Sequence, residues 1–155
     1  MSRLRIYDEN EPQTARLTLG EHAAIAAELA KVGVRFEQWE ASKPIAPGAS
    51  PDEVITAYRS DIDRLMSEAG YQAVDVISLA PDHPDRATLR QKFLGEHTDS
   101  EDEVRFFVAG SGQFTLHIKG KVYDILCEQG DLIGVPDGTR HWFDMSEAPY
   151  FVAIR

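Results

Sequence analysis

The sequence predicts a mainly β protein with helices in its first half. From Val104 onward, short apolar runs are separated by turn residues at intervals of roughly 8–12 residues. This spacing is typical of an antiparallel sandwich or small barrel and not of a parallel α/β sheet. The 155 residues are most simply one domain that spans 1–155 and buries its own core. We expect a helical part over about 1–94 and the barrel strands over about 95–155.

The first helix is predicted from an Ala-rich segment that runs to Lys31. Thr18 and Glu21 form a capping-box pattern before it, and Gly33 marks its end. Residues 34–39 then alternate apolar and polar side chains, which indicates a half-buried strand.

A second helix is predicted from Ser50, the N-cap, to Gly70. Pro51 at the first helical position and Glu53 completing a capping box support this start. One face carries the apolar residues Val54, Ile55, Tyr58, Ile62, Leu65 and Met66. A strand over 74–79 and a short helix over 86–94 follow.

The second half contains five turn signals that would divide it into short strands. They are Gly110-Ser111-Gly112, Lys119-Gly120-Lys121, Glu128-Gln129-Gly130, Pro136-Asp137-Gly138 and Glu147-Ala148-Pro149.

Composition excludes several classes of partner. The formal net charge is −10, and no basic run offsets it, which argues against nucleic-acid and anionic-membrane binding. The single cysteine, Cys127, rules out an intrachain disulfide and fits a reducing compartment. It lies in an apolar run, so we expect a buried and inert thiol. With no signal-peptide pattern at the start of the sequence, we expect a cytoplasmic protein. The acidic surface and the lack of an exposed apolar stripe lead us to expect a monomer.

A candidate metal site lies around residues 97–105. On an extended strand the odd-numbered positions His97, Asp99, Glu103 and Arg105 share one face. The turn at 136–138 would deliver His141 to the same place. Two imidazoles and a carboxylate can hold a divalent metal and leave coordination positions open for substrate and oxygen.

These residues resemble the two signature motifs of the cupin barrels. The first motif is met at its expected spacing by His97, Asp99, Glu103 and Gly110, with Asp99 where a second histidine is usual. The second motif is met by Gly130, Pro136, Gly138 and His141. The resemblance implies a cupin-type antiparallel β-barrel, a double-stranded β-helix, flanked by N-terminal helices.

Among the cupins, the chain resembles the acireductone dioxygenases over nearly its whole length. The similar segments are residues 33–39, 75–79, 92–97, 101–108 and 141–145. The resemblance implies cleavage of acireductone (1,2-dihydroxy-3-keto-5-methylthiopentene) by O₂ in methionine salvage, with one Fe(II) or Ni(II) per chain. The iron form would yield a 2-keto acid and formate, and the nickel form carbon monoxide, formate and methylthiopropionate.

The resemblance also implies residue roles. The implied metal ligands are His97, Glu103 and His141, with Asp99 at the fourth ligand position. Arg105 would be the catalytic cation that neutralises and orients the anionic enediolate. Phe93 and Phe143 would line an apolar wall around this small substrate.

The sequence departs from the family in two places. Asp99 replaces a histidine, which would lower the net charge of the metal site and weaken its attraction for an anion. The family usually continues beyond a strand like residues 150–155 with a segment that helps to enclose the substrate, whereas this sequence ends at Arg155. Two interpretations therefore stay open, an acireductone dioxygenase impaired by these changes and a metal-binding cupin module with little or no activity. A different cupin activity, such as an isomerase, is the weakest alternative.

The other histidines carry weaker signals. We expect His22 and His83 to be surface residues. His117 has the odd parity that would direct it inward to support a ligand, although a simply packed or exposed histidine is the favoured interpretation. Phe106 and Phe107 are expected to be core residues on opposite faces of a strand.

Overall fold

The computed structural model describes most of the chain. The described ranges are 2–8, 10–11, 14–39, 45, 50–69, 76–80, 84–95, 103–136, 138–145 and 150–154, without the side chains of Ala69, Glu103 and Tyr150. The strands within them are β1 (Arg3–Asp8), β2 (Leu17–Leu19), β3 (Arg35–Gln38), β4 (Val76–Leu79), β5 (Glu103–Ile118), β6 (Lys121–Glu128), β7 (Asp131–Val135), β8 (Arg140–Asp144) and β9 (Tyr150–Ile154). The helices are α1 (His22–Ala30), α2 (Pro51–Ala57), α3 (Arg59–Ala69) and α4 (Arg86–Leu94).

All nine strands belong to one antiparallel sheet, which confirms the mainly β prediction. The main path of the sheet runs β2-β1-β6-β5-β7-β3, and β8 and β9 also pair with β5. Strand β4 joins the sheet through β9. Strands from both halves of the chain are therefore hydrogen-bonded into the same sheet.

Strand β5 is the centre of this sheet because it pairs with four others. Its first part pairs with β7 and β9, and its second part pairs with β6 and β8. The pairing with β9 is irregular between Phe107 and Ala109, and Gly110 has a φ of 66°. The turn predicted at 110–112 is wrong, because β5 continues as one strand through these residues and the bulge lies before them, between Phe107 and Ala109.

The predicted turn at 119–121 is confirmed. Lys119 and Gly120 both have positive φ and join β5 to β6, with Ile118 paired to Lys121. Two residues in this conformation form the hairpin turn whose twist matches that of the strands. Gly130 also has a positive φ, in the turn between β6 and β7.

The helices lie close to their predicted positions, but one predicted cap is absent and one predicted helix is divided in two. Helix α1 ends as expected, with Gly33 in the left-handed region, but Glu21 makes no side-chain cap and Thr18 lies in β2. The predicted helix from Ser50 is capped by the Ser50 hydroxyl, which accepts a hydrogen bond from the Glu53 N–H at 3.2 Å. It is divided at Tyr58 into α2 and α3.

Helix α4 has the predicted bounds. Within the described residues, the structure contains no helix that is both long and apolar enough to cross a membrane.

Two apolar cores lie on opposite faces of the sheet. The first core includes Ile25, Phe36, Phe107, Phe114, Leu116, Ile133, Val135, Phe143, Met145 and Phe151. The second core includes Val54, Tyr58, Ile62, Leu65, Phe106, Leu132 and Val152. Phe106 and Phe107 belong to different cores, which confirms that they face opposite sides of β5. Helices α2 and α3 cover the second core, whereas α1 and α4 pack against the first.

Candidate functional site

His141 lies on β8 beside the first core. It pairs with Leu116 of β5, and only 2% of its surface is exposed. Phe143 and Met145, at the next positions of the same parity, are members of the first core. The alternation of side chains along a strand thus brings an imidazole to the apolar face of the sheet.

The ring of His141 is oriented by the backbone. Its Nδ1 lies 2.8 Å from the carbonyl oxygen of Thr139. A carbonyl oxygen only accepts, so Nδ1 carries the proton and donates it to Thr139. In the neutral imidazole this leaves the lone pair on Nε2, the arrangement typical of histidines that ligate a metal. His141 therefore fits the role of a ligand to a divalent metal.

Strand β5 brings two further predicted site positions to the same face. Arg105 pairs with Ile133, and position 103 pairs with Val135. Both partners belong to the first core, and directly paired residues share a face of a sheet. Arg105 is half-buried, and its register places it on the sheet face that carries His141.

The two residues predicted to form an apolar wall are in contact with each other. Phe93 of α4 and Phe143 of β8 meet edge to face, with ring centroids 6.4 Å apart. Phe143 also contacts Phe114 at 4.7 Å and Phe151 at 5.4 Å between centroids. Aromatic rings thus surround Phe143, two residues along the strand from His141.

An ion pair fastens α4 to β8. Arg90 donates two hydrogen bonds to the carboxylate of Asp144, from Nε at 2.9 Å and from Nη2 at 3.3 Å. Both side chains are about one-third exposed. A bidentate guanidinium–carboxylate pair is directional, and it sets where Phe93 meets Phe143. The sequence contains no local signal for this pair, because its two residues are 54 positions apart.

Two of the predicted ligands, His97 and Asp99, lie outside the described residues, as does the side chain of Glu103. Among the described residues, no three His, Cys, Asp or Glu side chains come together as a metal site. The described part of the chain thus contributes His141, Arg105, Phe93 and Phe143 to the candidate site.

The bulge in β5 explains why His117 does not face the site. Before the bulge, odd-numbered Arg105 and Phe107 stand on the first-core face. After it, even-numbered Phe114 and Leu116 do. His117 pairs with Arg140 on the other face, so the inward orientation suggested by its parity is wrong, and the packed or exposed alternative holds.

A buried polar cluster was missed at the sequence level. The carboxylate of Asp131 is fully buried and accepts hydrogen bonds from the Ser2 hydroxyl at 2.5 Å and from the Glu128 N–H at 2.9 Å. His22 Nε2 lies 3.2 Å from it, and the His22 ring stacks on Phe36. His22 is therefore half-buried between two partners, and the surface location expected for it is wrong.

Burial changes the acidity of two groups in this region. Desolvation raises the pKa of Asp131 by more than the hydrogen bonds from Ser2 and Glu128 lower it. Desolvation also raises the pKa of the Cys127 thiol well above its ordinary value, and the nearby Asp131 charge adds to the shift. Cys127 is a buried, unreactive thiol, as predicted.

Comparisons with known proteins show the family of this chain. Residues 3–155 match the ARD/ARD' family. The acireductone dioxygenase of Stenotrophomonas maltophilia (strain K279a) is 63% identical over 155 residues, which are 100% of this chain and 84% of that protein. The acireductone dioxygenase of Xanthomonas axonopodis pv. citri (strain 306) is 59% identical, over 100% of this chain and 82% of that protein.

A solved structure shows the same fold. It is an acireductone dioxygenase from Bacillus anthracis with a cadmium ion in its active centre. The TM-score is 0.86 at 31% identity, over 100% of this chain and 91% of that one. The match confirms the predicted cupin fold, and the names of these relatives favour an enzyme over an inactive binding module. The chain belongs to the ARD/ARD' family.

Proposed function

We propose that this chain is a metal-dependent dioxygenase that cleaves acireductone with O₂, the reaction that gives its relatives their name. The observation that carries the proposal is His141, buried beside an aromatic wall with its Nδ1 proton held by the Thr139 carbonyl. That arrangement prepares Nε2 as a ligand. The identity with named acireductone dioxygenases over the full chain supports the same substrate.

The proposed metal is Fe(II) or Ni(II), one per chain, held by His97, Glu103, His141 and Asp99. When bound, it supplies a Lewis acid that polarises the two oxygens of the enediolate. A site of imidazoles and carboxylates suits either metal. We propose that the iron form releases a 2-keto acid and formate, and that the nickel form releases carbon monoxide, formate and methylthiopropionate.

The residues of the chain orient the substrate and exclude water. Arg105 stands on the face of His141, where its fixed positive charge would pair with the enediolate and set its orientation. The edge-to-face pair of Phe93 and Phe143 offers an apolar wall for the methylthio end of the substrate. Keeping water from this wall strengthens the interaction between Arg105 and the anion.

The cellular setting is part of the proposal. The free Cys127 fits a reducing compartment, and we propose the cytoplasm. We also propose that the chain is a monomeric single domain whose reaction needs only the enediol and O₂. Its net charge of −10 supports the absence of a nucleic-acid partner.

The direct test compares two histidine variants on opposite faces of the same strand pair. His141→Ala removes the proposed ligand, and we expect metal content to fall at least about tenfold and turnover to fall to the protein-free rate. His117→Ala is the matched control. His117 of β5 pairs with Arg140, the residue before His141, and lies on the other face of the sheet. Metal content by elemental analysis and product formation from acireductone are the measurements.

A His141→Ala protein that is folded, keeps its metal and turns over at the rate of His117→Ala would refute the assignment. Circular dichroism on both variants establishes that each is folded before the comparison.

A further inference from the structure

Phe143 is the least buried phenylalanine among the buried residues of the first core. This ring is 8% exposed, against 0% for Phe107, 2% for Phe114 and 1% for Phe151. Phe93, which meets Phe143 edge to face, is only partly buried. The first core therefore opens where Phe93 and Phe143 meet, close to His141 on the same strand.

Gly112 of β5 lies directly beneath the Phe143 ring. A Cβ on Gly112 would lie 2.2 Å from Cζ and 2.5 Å from Cε1 of Phe143, and 3.4 Å from Cε2 of Phe107. Non-bonded carbon atoms do not approach so closely, because their optimal separation is about 3.5–4.0 Å. Gly112 is not among the glycines with positive φ. Position 112 requires glycine because there is no room for a Cβ, and not because of its backbone conformation.

The Phe143 ring has little room to move in other directions. Phe114 lies 4.7 Å away between centroids, Phe151 lies 5.4 Å away, and Phe107 lies 6.3 Å away. These neighbours belong to a close-packed core that resists displacement. A side chain at position 112 would therefore push the ring towards Phe93, the partly exposed side.

We propose that Gly112 is a specificity-determining position: by letting the Phe143 ring lie against β5, it sets the depth of the pocket that receives the apolar tail of the enediol. The inference rests on the proposed function, because it takes the Phe93–Phe143 wall as the place where that tail binds. Gly112 touches no reacting atom and acts only through Phe143.

The test uses two acireductones, one with the methylthioethyl tail and one with the tail shortened to methyl. Gly112→Ala is expected to lower kcat/KM for the long-tailed substrate at least about tenfold, chiefly through KM, and to change the short-tailed one little. Gly134→Ala is the matched control. A Cβ there also meets a close neighbour, Arg35 Cβ at 3.1 Å, but on strand β7 away from Phe143.

A second variant keeps the proposal testable if Gly112→Ala folds poorly. Phe143→Leu removes both clashing ring atoms, so Gly112→Ala combined with Phe143→Leu should fold and recover the long-tailed substrate. Phe143→Leu alone should raise kcat/KM for acireductones whose tail is longer than methylthioethyl, relative to the substrate with the methylthioethyl tail.

Two results would overturn the proposal. One is an equal loss on both substrates in folded Gly112→Ala protein, which leaves Gly112 with a packing role only. The other is an unchanged tail preference in Phe143→Leu. In both cases wild-type turnover of acireductone keeps the proposed function intact, whereas a wild type that turns over neither substrate removes the proposed function and this inference together.

Discussion

Thr139 controls the chemistry of His141 through its backbone carbonyl and not through its side chain. The carbonyl accepts the Nδ1 proton at 2.8 Å, so the tautomer of the imidazole is set by the path of the chain into β8. A substitution at position 139 that preserves this path keeps the hydrogen bond. The motif spacing predicted His141 as a ligand, but it carried no information about the tautomer, which depends on where a turn places one oxygen.

Asp99 occupies a proposed metal-ligand position at which the resemblance to the cupin motif implies a histidine. We expect Asp99→His to raise turnover of acireductone by about tenfold, which corresponds to about 1.4 kcal/mol. A neutral imidazole in place of the carboxylate would remove one negative charge from the site and strengthen its attraction for the anionic substrate. Steady-state kinetics of the metal-loaded protein provide the measurement.

Asp99→Asn separates charge from ligation, because it removes the negative charge without supplying a ring nitrogen. We expect it to gain less than Asp99→His. Equal turnover in wild type and Asp99→His would contradict the effect assigned to this position.

Asp131 makes stability depend on pH. Its pKa is raised above the ordinary 3.8 by burial, so the folded protein holds this proton more tightly than the unfolded chain. The resulting stabilisation is complete below pH 3.8 and is lost as pH rises through the raised pKa. Asp131→Asn keeps an acceptor for Ser2 and Glu128 but does not ionise. The stability of wild type relative to Asp131→Asn should therefore fall as pH rises over this window.

Urea unfolding at a series of pH values measures this difference. Asp63→Asn is the control, because its carboxylate is 61% exposed and lies outside the buried cluster. A wild type that gains stability over Asp131→Asn with rising pH would reverse the sign and refute the account of this carboxylate.

At the level of elements, an ion pair and an aromatic contact join α4 to β8. Arg90→Ala removes the two hydrogen bonds to Asp144 and should cost about 1 kcal/mol of stability, since the pair is partly exposed. Activity should fall by about tenfold or more, because α4 carries Phe93 and leads towards His97. Thermal unfolding and kcat/KM are the two measurements.

Arg59→Ala is the matched helix variant, since Arg59 pairs with Asp63 on a surface where both side chains are about two-thirds exposed. It should lose little stability and no activity. If the two variants had equal activity, α4 would not depend on Arg90 for its position.

Elements with a local signal were predictable from the sequence, and those determined by distant pairing were not. The hairpin turn at Lys119-Gly120 and the Ser50 cap depend on adjacent residues, and both were confirmed. The glycines at 110 and 112 resemble a turn locally, yet pairing with β6 and β9 keeps the chain in one strand. The bulge between Phe107 and Ala109 reverses the parity of the residues that follow it. For this reason the odd parity of His117 suggested the wrong face, whereas the favoured interpretation, a packed or exposed histidine, holds.

The candidate site also contains features that the sequence predicts and contacts that it does not. Arg105 and His141 follow from motif spacing and strand alternation, and Phe143 follows from the resemblance to the acireductone dioxygenases. The structure brings all three residues to one face. The contacts that hold this face together join residues far apart in the chain, such as Arg90 with Asp144 and Gly112 with Phe143. Such contacts become visible only when the strands have been paired.

For the molecule as a whole, the sheet joins the two halves of the chain and separates two cores with different roles. The second core is covered by α2 and α3, and its side chains serve packing. The first core is bordered by α1 and α4 and carries His141 and the aromatic wall at its opening. A single sheet that links these regions supports our proposal of one domain.

The central claim is that this chain cleaves acireductone with O₂. The most direct measurement is product analysis after mixing Fe(II)-loaded protein with acireductone and O₂, beside a protein-free control, because enediols oxidise spontaneously. The account predicts a keto acid and formate at a rate well above the control. A rate equal to that of the control would contradict it and would leave a metal-binding cupin without this activity.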